Sequence, residues 1–201
     1  MDEIGPGIFH WTAEHPETGG TAHSHLIAEA ATVLDPMALE EALELLRDRP
    51  PERVAMTNRH HYRQADALVA EFGVPVLCPR PGLHEFEGDE RAVEPYDPGD
   101  ELAPGLTAHV LGGICPDDFV LHARFGHGWL AFADGLIRRE SELGFVSDGL
   151  LGDDPAAVKR ALYDRLEPLL GLDFDGLLFA HGDPLPSGGH AALSEFVSAR
   201  D

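Results

Sequence analysis

Apolar positions fall in short runs separated by glycine and proline. The runs Ile8–Trp11, His25–Ile27, Thr32–Leu34 and Arg53–Thr57 have the length and residue types of strands. Over Met37–Arg47, residues Met37, Leu39, Ala42, Leu43, Leu45 and Leu46 predict a helix with one buried face, and Asp35-Pro36 ahead of it reads as an N-cap and first-turn pair. Ala65, Leu68, Val69 and Phe72 predict a second helix over Tyr62–Phe72, ended by Gly73. A short strand at Val74–Cys78 leads into a turn-rich stretch, residues 79–105, with weaker strand signals at Leu83–Phe86 and Val93–Tyr96. Thr107–Leu111, Phe119–Arg124 and Gly128–Ala133 are further strands, the last two joined by a hairpin turn at Gly126-His127-Gly128. Asp154-Pro155 opens a helix with Val158, Leu162 and Leu166 on one face, which Pro168 should end. Asp175–Ala180 is a buried strand, and Ser187–Ala199 a final helix. The mixture predicts an α/β or α+β chain with more than one sheet layer, in one domain over 1–201.

Composition narrows the partners. Of 201 residues 43% are hydrophobic, enough for a real core. Thirty-six acids against fourteen bases give a net charge of −22. The acids are spread over both halves, with only short clusters at Glu85–Glu90 and Asp97–Glu101, so they mark a solvated surface and not an interaction arm. Such a surface repels phosphate backbones and anionic lipid, which argues against nucleic-acid and membrane-surface binding. The two cysteines, Cys78 and Cys115, form no C-x-x-C pair, and the N-terminus lacks a basic start and apolar run. A cytoplasmic protein acting on a small molecule, alone or as a homodimer, is the expectation.

Three buried-looking strands end in an abrupt change of character. Arg53–Thr57 runs into Asn58-Arg59-His60-His61-Tyr62-Arg63, Gly128–Ala133 into Asp134-Gly135, and Asp175–Ala180 into His181-Gly182-Asp183-Pro184. Sites in layered α/β folds gather at strand carboxyl ends. Two histidine-bearing ends and one aspartate-bearing end make a divalent-metal set, since imidazole suits zinc or iron and a carboxylate completes or bridges. No G-x-S-x-G elbow, Gly-rich phosphate loop or dinucleotide fingerprint is present.

At these residues the chain resembles the metallo-β-lactamase superfamily. The T-H-x-H-x-D-H motif of that family is matched by Thr57-Asn58-Arg59-His60-His61-Tyr62-Arg63, and its P-G-H-x-x-G loop by Leu111-Gly112-Gly113-Ile114-Cys115-Pro116-Asp117. Its strand-end G-D is matched by Ala133-Asp134-Gly135, and its A-H-G-D-P segment by Ala180–Pro184. The opening Ile4-Gly5-Pro6-Gly7-Ile8-Phe9, then Ser24–Ile27 and Val33–Pro36, also look similar. The departures are Asn58 and Gly113 in place of histidines, and Tyr62-Arg63 in place of the Asp-His pair. The resemblance implies a four-layer αββα sandwich with a site between the sheets. Of the usual ligands it leaves His60, Asp134 and His181.

The function this implies is that of a metal-dependent hydrolase of a small, anionic ester, thioester, lactone or amide. One divalent ion, zinc before iron or manganese, would be held by His60, Asp134 and His181. Arg59, His61 and Arg63 would serve the substrate or the oxyanion, with Asn58, Tyr62, His84, Cys115 and Asp117 as further pocket candidates. The alternative is a metal-free member that binds a ligand or partner without catalysis, with Arg63 paired to Asp134 in place of an ion.

Overall fold

In the computed structural model, which describes residues 1–200, seven strands lie side by side in chain order. They are β1 (Asp2–Gly5), β2 (Ile8–Glu14), β3 (Thr21–Ile27), β4 (Thr32–Leu34), β5 (Arg53–Ala55), β6 (Val76–Pro79) and β7 (Glu94–Tyr96). Neighbours from β1 to β4 are antiparallel and those from β4 to β7 parallel. Parallel neighbours need crossovers; α1 (Glu40–Asp48) joins β4 to β5 and α2 (Ala65–Phe72) joins β5 to β6. A second sheet begins with β8 (Glu101–Ala103), β9 (Leu106–Val110), β10 (Phe119–Ala123) and β11 (Trp129–Phe132), all antiparallel. A separate hairpin, β12 (Ile137–Arg139) with β13 (Glu142–Gly144), and helix α3 (Pro155–Leu166) come next in the chain. Then β14 (Gly176–Phe179) returns parallel to β11, and α4 (Gly189–Ser198) follows.

Alternation along the strands builds three cores. Ile8, Ile27, Leu34, Phe119, Leu121 and Leu178 meet between the sheets. Phe9, Leu26, Val33 and Val54 face α1 and α2 through Leu46 and Leu68. Val120, Phe132 and Phe179 face α3 and α4 through Leu162, Leu166 and Leu193. The layers are therefore αββα. Phe119, Phe132 and Phe179 are fully buried, each contributing about 1.5–3 kcal/mol over an exposed ring. No helix among the described residues is long and apolar enough to cross a membrane.

Local signals misled in four places. Asp35 caps nothing: α1 begins at Glu40, with Leu39 as its N-cap, and Asp35 is buried at φ +48°. The expected Tyr62–Phe72 helix is split into a 3₁₀ turn over Arg59–Tyr62 and α2, because Arg63 sits at φ +47° between them. Leu83–Phe86 is not a strand but part of a 3₁₀ turn over Arg80–Phe86, with Pro81 in its first turn. The β12–β13 hairpin and strands β1 and β8 carry too few apolar positions to announce themselves.

The parallel halves bring strand carboxyl ends to one edge. Phe132 pairs with Phe179, so Asp134 and His181 each stand two residues past the last pair. Leu34 pairs with Ala55, so Asp35 stands one residue and Thr57 two residues past the last pair of the other sheet. Backbone bonds from Phe119 N–H to Thr57 O (3.0 Å) and from His23 N–H to Ala180 O (3.2 Å) tie the sheets together there.

Candidate functional site

The 3₁₀ turn after β5 places the first ligand candidates. Asn58 opens it: its Oδ1 accepts from His60 N–H (2.9 Å), and its Nδ2 donates to Asp134 Oδ2 (2.6 Å), reaching the second sheet. The tight turn carries His60 outward to an exposed position and His61 inward. His61 Nε2 lies 3.5 Å from Asp134 Oδ1, and His181 Nε2 lies 3.0 Å from the same oxygen. One ligand atom from each of His61, Asp134 and His181 falls within 4.8 Å of the others.

Behind His61 stands Asp35. Its Oδ1 accepts from Thr57 N–H (2.8 Å), and its Oδ2 accepts from Thr57 Oγ1 (2.6 Å). Thr57 has one hydroxyl proton. Having given it to Asp35, Thr57 Oγ1 accepts from His61 Nδ1–H at 2.9 Å, with Asp35 Oδ2 itself 3.2 Å from that nitrogen. The ring is thereby oriented with Nε2 toward Asp134, the arrangement in which a carboxylate orients a metal-binding imidazole. Burial opposes charge on His61, but the carboxylates of Asp35 and Asp134 outweigh it and raise its pKa to about 9. The same contacts hold Asp134 well below the usual carboxylate range against the opposing effect of burial. Asp118, fully buried, has neither carboxylate oxygen partnered; burial, then the Asp134 charge, pushes its pKa far up.

A cavity of about 640 Å³ opens beside the triplet, lined by Asp134, His181, His60 and Arg59, the β12 arginines and several aliphatic residues. The three close N, O, N donors of His61, Asp134 and His181, the last two on the cavity wall, suit a divalent ion of the zinc or iron type.

Solved structures place this arrangement among known folds. A metallo-beta-lactamase from Pontibacter korlensis superposes with a TM-score of 0.68 at 15% identity, covering 98% of this chain and 96% of that one. A metallo-beta-lactamase family protein from Thermus thermophilus gives 0.64 at 16%, covering 98% and 80%. TTHA1623, solved in a di-iron-bound form, gives 0.63 at 22%, covering 96% of each. The chain has the metallo-β-lactamase fold. No protein-family model and no curated protein matches the sequence.

Within the metallo-β-lactamase fold, the expected site is redrawn. His61, not His60, meets Asp134 and His181; His60 lines the cavity outside the triplet. Arg63 does not pair with Asp134. Its Nη1 donates to the carbonyls of His23 (2.7 Å) and Asp35 (2.8 Å), and its Nη2 to that of Ala180 (3.1 Å), which staples three segments behind the site. Arg59 is ion-paired with the buried carboxylate of Asp117, which also accepts from the Arg59 backbone N–H at 2.9 Å. Cys115 lines the cavity, but burial and then Asp117 push its thiol up to about 12, so it is no thiolate at neutral pH. Tyr62 packs against Phe86 and under Arg91, away from the triplet. His84 is exposed, with Nδ1 2.8 Å from the Pro81 carbonyl. At Gly113, where the family motif has a histidine, φ is +93° and an added Cβ would lie 2.6 Å from Leu162 Cδ2 of α3, so a side chain there would be strained and would require Leu162 to shift. Asp35, Thr57 and the pair Arg138–Arg139 went unread as site residues. Asp35 had a signal of its own, since it follows a strand as abruptly as Asp134 and His181 do.

Proposed function

We propose that the protein is a metal-dependent hydrolase of a small molecule, with one divalent ion held by His61, Asp134 and His181. The close approach of those three donors, with Asp134 and His181 lining the cavity, carries the reading. When bound, such an ion supplies Lewis acidity and activates water for attack on a carbonyl. The chain's own residues do the rest. Asp35 and Thr57 hold the His61 ring with Nε2 forward, Asn58 holds the Asp134 carboxylate from its other oxygen, and Arg63 fixes the backbone at Asp35 and Ala180. Positioning of this kind fixes donors before substrate arrives, which lowers the reorganisation required during reaction.

Metal analysis of protein purified without chelator and then loaded with zinc, iron(II) or manganese tests the reading. About one equivalent is expected in the parent and in His60→Ala. None is expected in His61→Ala or Asp134→Ala. A parent that takes up no ion overturns it, and retention by His61→Ala together with loss by His60→Ala would move the site.

The second reading is a ligand-binding protein without metal. It is favoured by one observation: the Asp134 carboxylate already meets Asn58 Nδ2, His181 Nε2 and His61 Nε2, which satisfies it among protein groups.

A further inference from the structure

The cavity beside the triplet has two kinds of lining. Ile114, Ile137, Val146 and Leu150 are aliphatic, and Leu150 is 66% exposed although it is a large apolar side chain. Arg138 and Arg139 of β12 are cationic. In a chain of net charge −22, most arginines find carboxylates, as Arg47, Arg53, Arg80 and Arg124 do. Arg138 and Arg139 form none of the ion pairs found among the described residues. Arg138 Nη1 donates only to the carbonyls of Asp183 (3.2 Å) and Pro184 (3.0 Å), and its buried Nε has no partner. The sole carboxylate on the cavity wall, Asp134, is engaged by Asn58, His61 and His181.

Backbone contacts hold this lining in place. Arg138 N–H donates to His181 O at 3.1 Å. Gly182 sits at φ +119°, where any Cβ would overlap the Arg138 carbonyl, so β12 lies directly against the strand end that bears His181. Ile137 and Arg139 share one face of that strand. An inorganic anion would leave the aliphatic wall wet, and a neutral hydrocarbon would leave two arginines without a counter-charge.

We infer that the site takes an amphiphilic organic anion, an aliphatic chain that bears a carboxylate. Its charged group meets Arg139, and its chain covers Ile137, Val146 and Leu150. The inference deepens the hydrolase reading and rests on it for turnover, but not for binding.

Calorimetric titration of the purified protein with octanoate, octanamide and acetate tests it. Octanoate is expected to bind at least tenfold tighter than octanamide, which lacks the charge, and than acetate, which lacks the chain. Arg139 is exposed, so Arg139→Ala leaves the fold intact; it is expected to weaken octanoate at least fivefold and leave octanamide unchanged. Leu150→Asp is expected to weaken octanoate by a similar factor. Octanoate bound no tighter than octanamide or acetate, or no loss in Arg139→Ala, overturns the inference. Metal content measured on the same samples separates the two claims. Octanoate binding in a protein that takes up no metal sinks the hydrolase reading alone, and a metal-loaded protein indifferent to the charge and chain of the probe sinks the inference alone.

Discussion

Two groups of histidines lie at the same end of the fold and experience opposite electrostatics. His61 is buried between the carboxylates of Asp35 and Asp134, with His181 at the second of these. Beside it on β2 and β3, His10, His23 and His25 stack with ring centroids 5.1–5.2 Å apart, and His10 Nε2 lies 2.9 Å from His23 Nδ1. Among the described residues no carboxylate is hydrogen-bonded to that stack, and His25 Nε2 is buried without a partner. Burial, then the neighbouring His10, lowers the His23 pKa to about 4, and burial likewise holds His25 well below its ordinary value. The same side chain, equally hidden, is a cation in one place and a neutral ring close by. What differs is a carboxylate within hydrogen-bond reach, and only the carboxylate-supported group has the donor set and the orientation for an ion.

The comparison breaks most readily at Asp35. Asp35→Ala leaves His61 buried without its counter-charge and Thr57 N–H without an acceptor, and a loss of about 3–5 kcal/mol is expected in urea denaturation of the chelated protein. A loss below about 1 kcal/mol would mean that the two groups do not differ in kind. Next comes pH. His23 has a folded pKa below its unfolded value, so the unfolded chain binds more protons between about 4 and 6.5. Its contribution is full above pH 6.5 and disappears as pH falls toward 4, a loss of about 3 kcal/mol. His23→Asn should remove that acid limb, which a denaturation series from about pH 4 to 7 reads directly. His61 has the opposite sign. Its pKa is raised, so its contribution is full below pH 6.5 and is lost as pH climbs through about 9. An alkaline limb that survives in His61→Asn would assign it elsewhere.

Two smaller effects sharpen the boundary of the site. Asn58→Ala removes the 2.6 Å donation to Asp134 and the cap on His60 N–H, with about 2–3 kcal/mol of destabilisation expected by thermal unfolding. His60→Ala, at an exposed side chain one residue from His61, should change stability by less than about 0.5 kcal/mol. A larger change would show that His60 is engaged in the structure after all.

Much of the arrangement is legible in the residues taken in order. The strand ends Ala133-Asp134 and Ala180-His181 announce a site because buried apolar runs rarely stop on an ionisable group without reason. The order of the motif remnants implies the sandwich that the structure shows. Legibility fails where a residue's partner is distant. Asp35-Pro36 has the local grammar of a helix cap, yet its carboxylate is taken by Thr57, 22 positions on. The choice between His60 and His61 turns on a 3₁₀ turn that Asn58 opens and Arg63 ends at positive φ, and Arg63 holds that conformation through carbonyls 28, 40 and 117 positions away.

Read along the chain, the period of the apolar positions dictates the layers, and the polar residues that end the parallel strands dictate the edge at which chemistry collects. Three-dimensional packing decides which histidine faces Asp134, which arginines lack a carboxylate partner, and that a side chain at position 113 would press on Leu162. Those outcomes depend on where carbonyls, carboxylates and a single leucine of α3 arrive from distant parts of the chain, and hydrogen bonding and steric exclusion act over a few ångströms of space, whatever the separation in sequence.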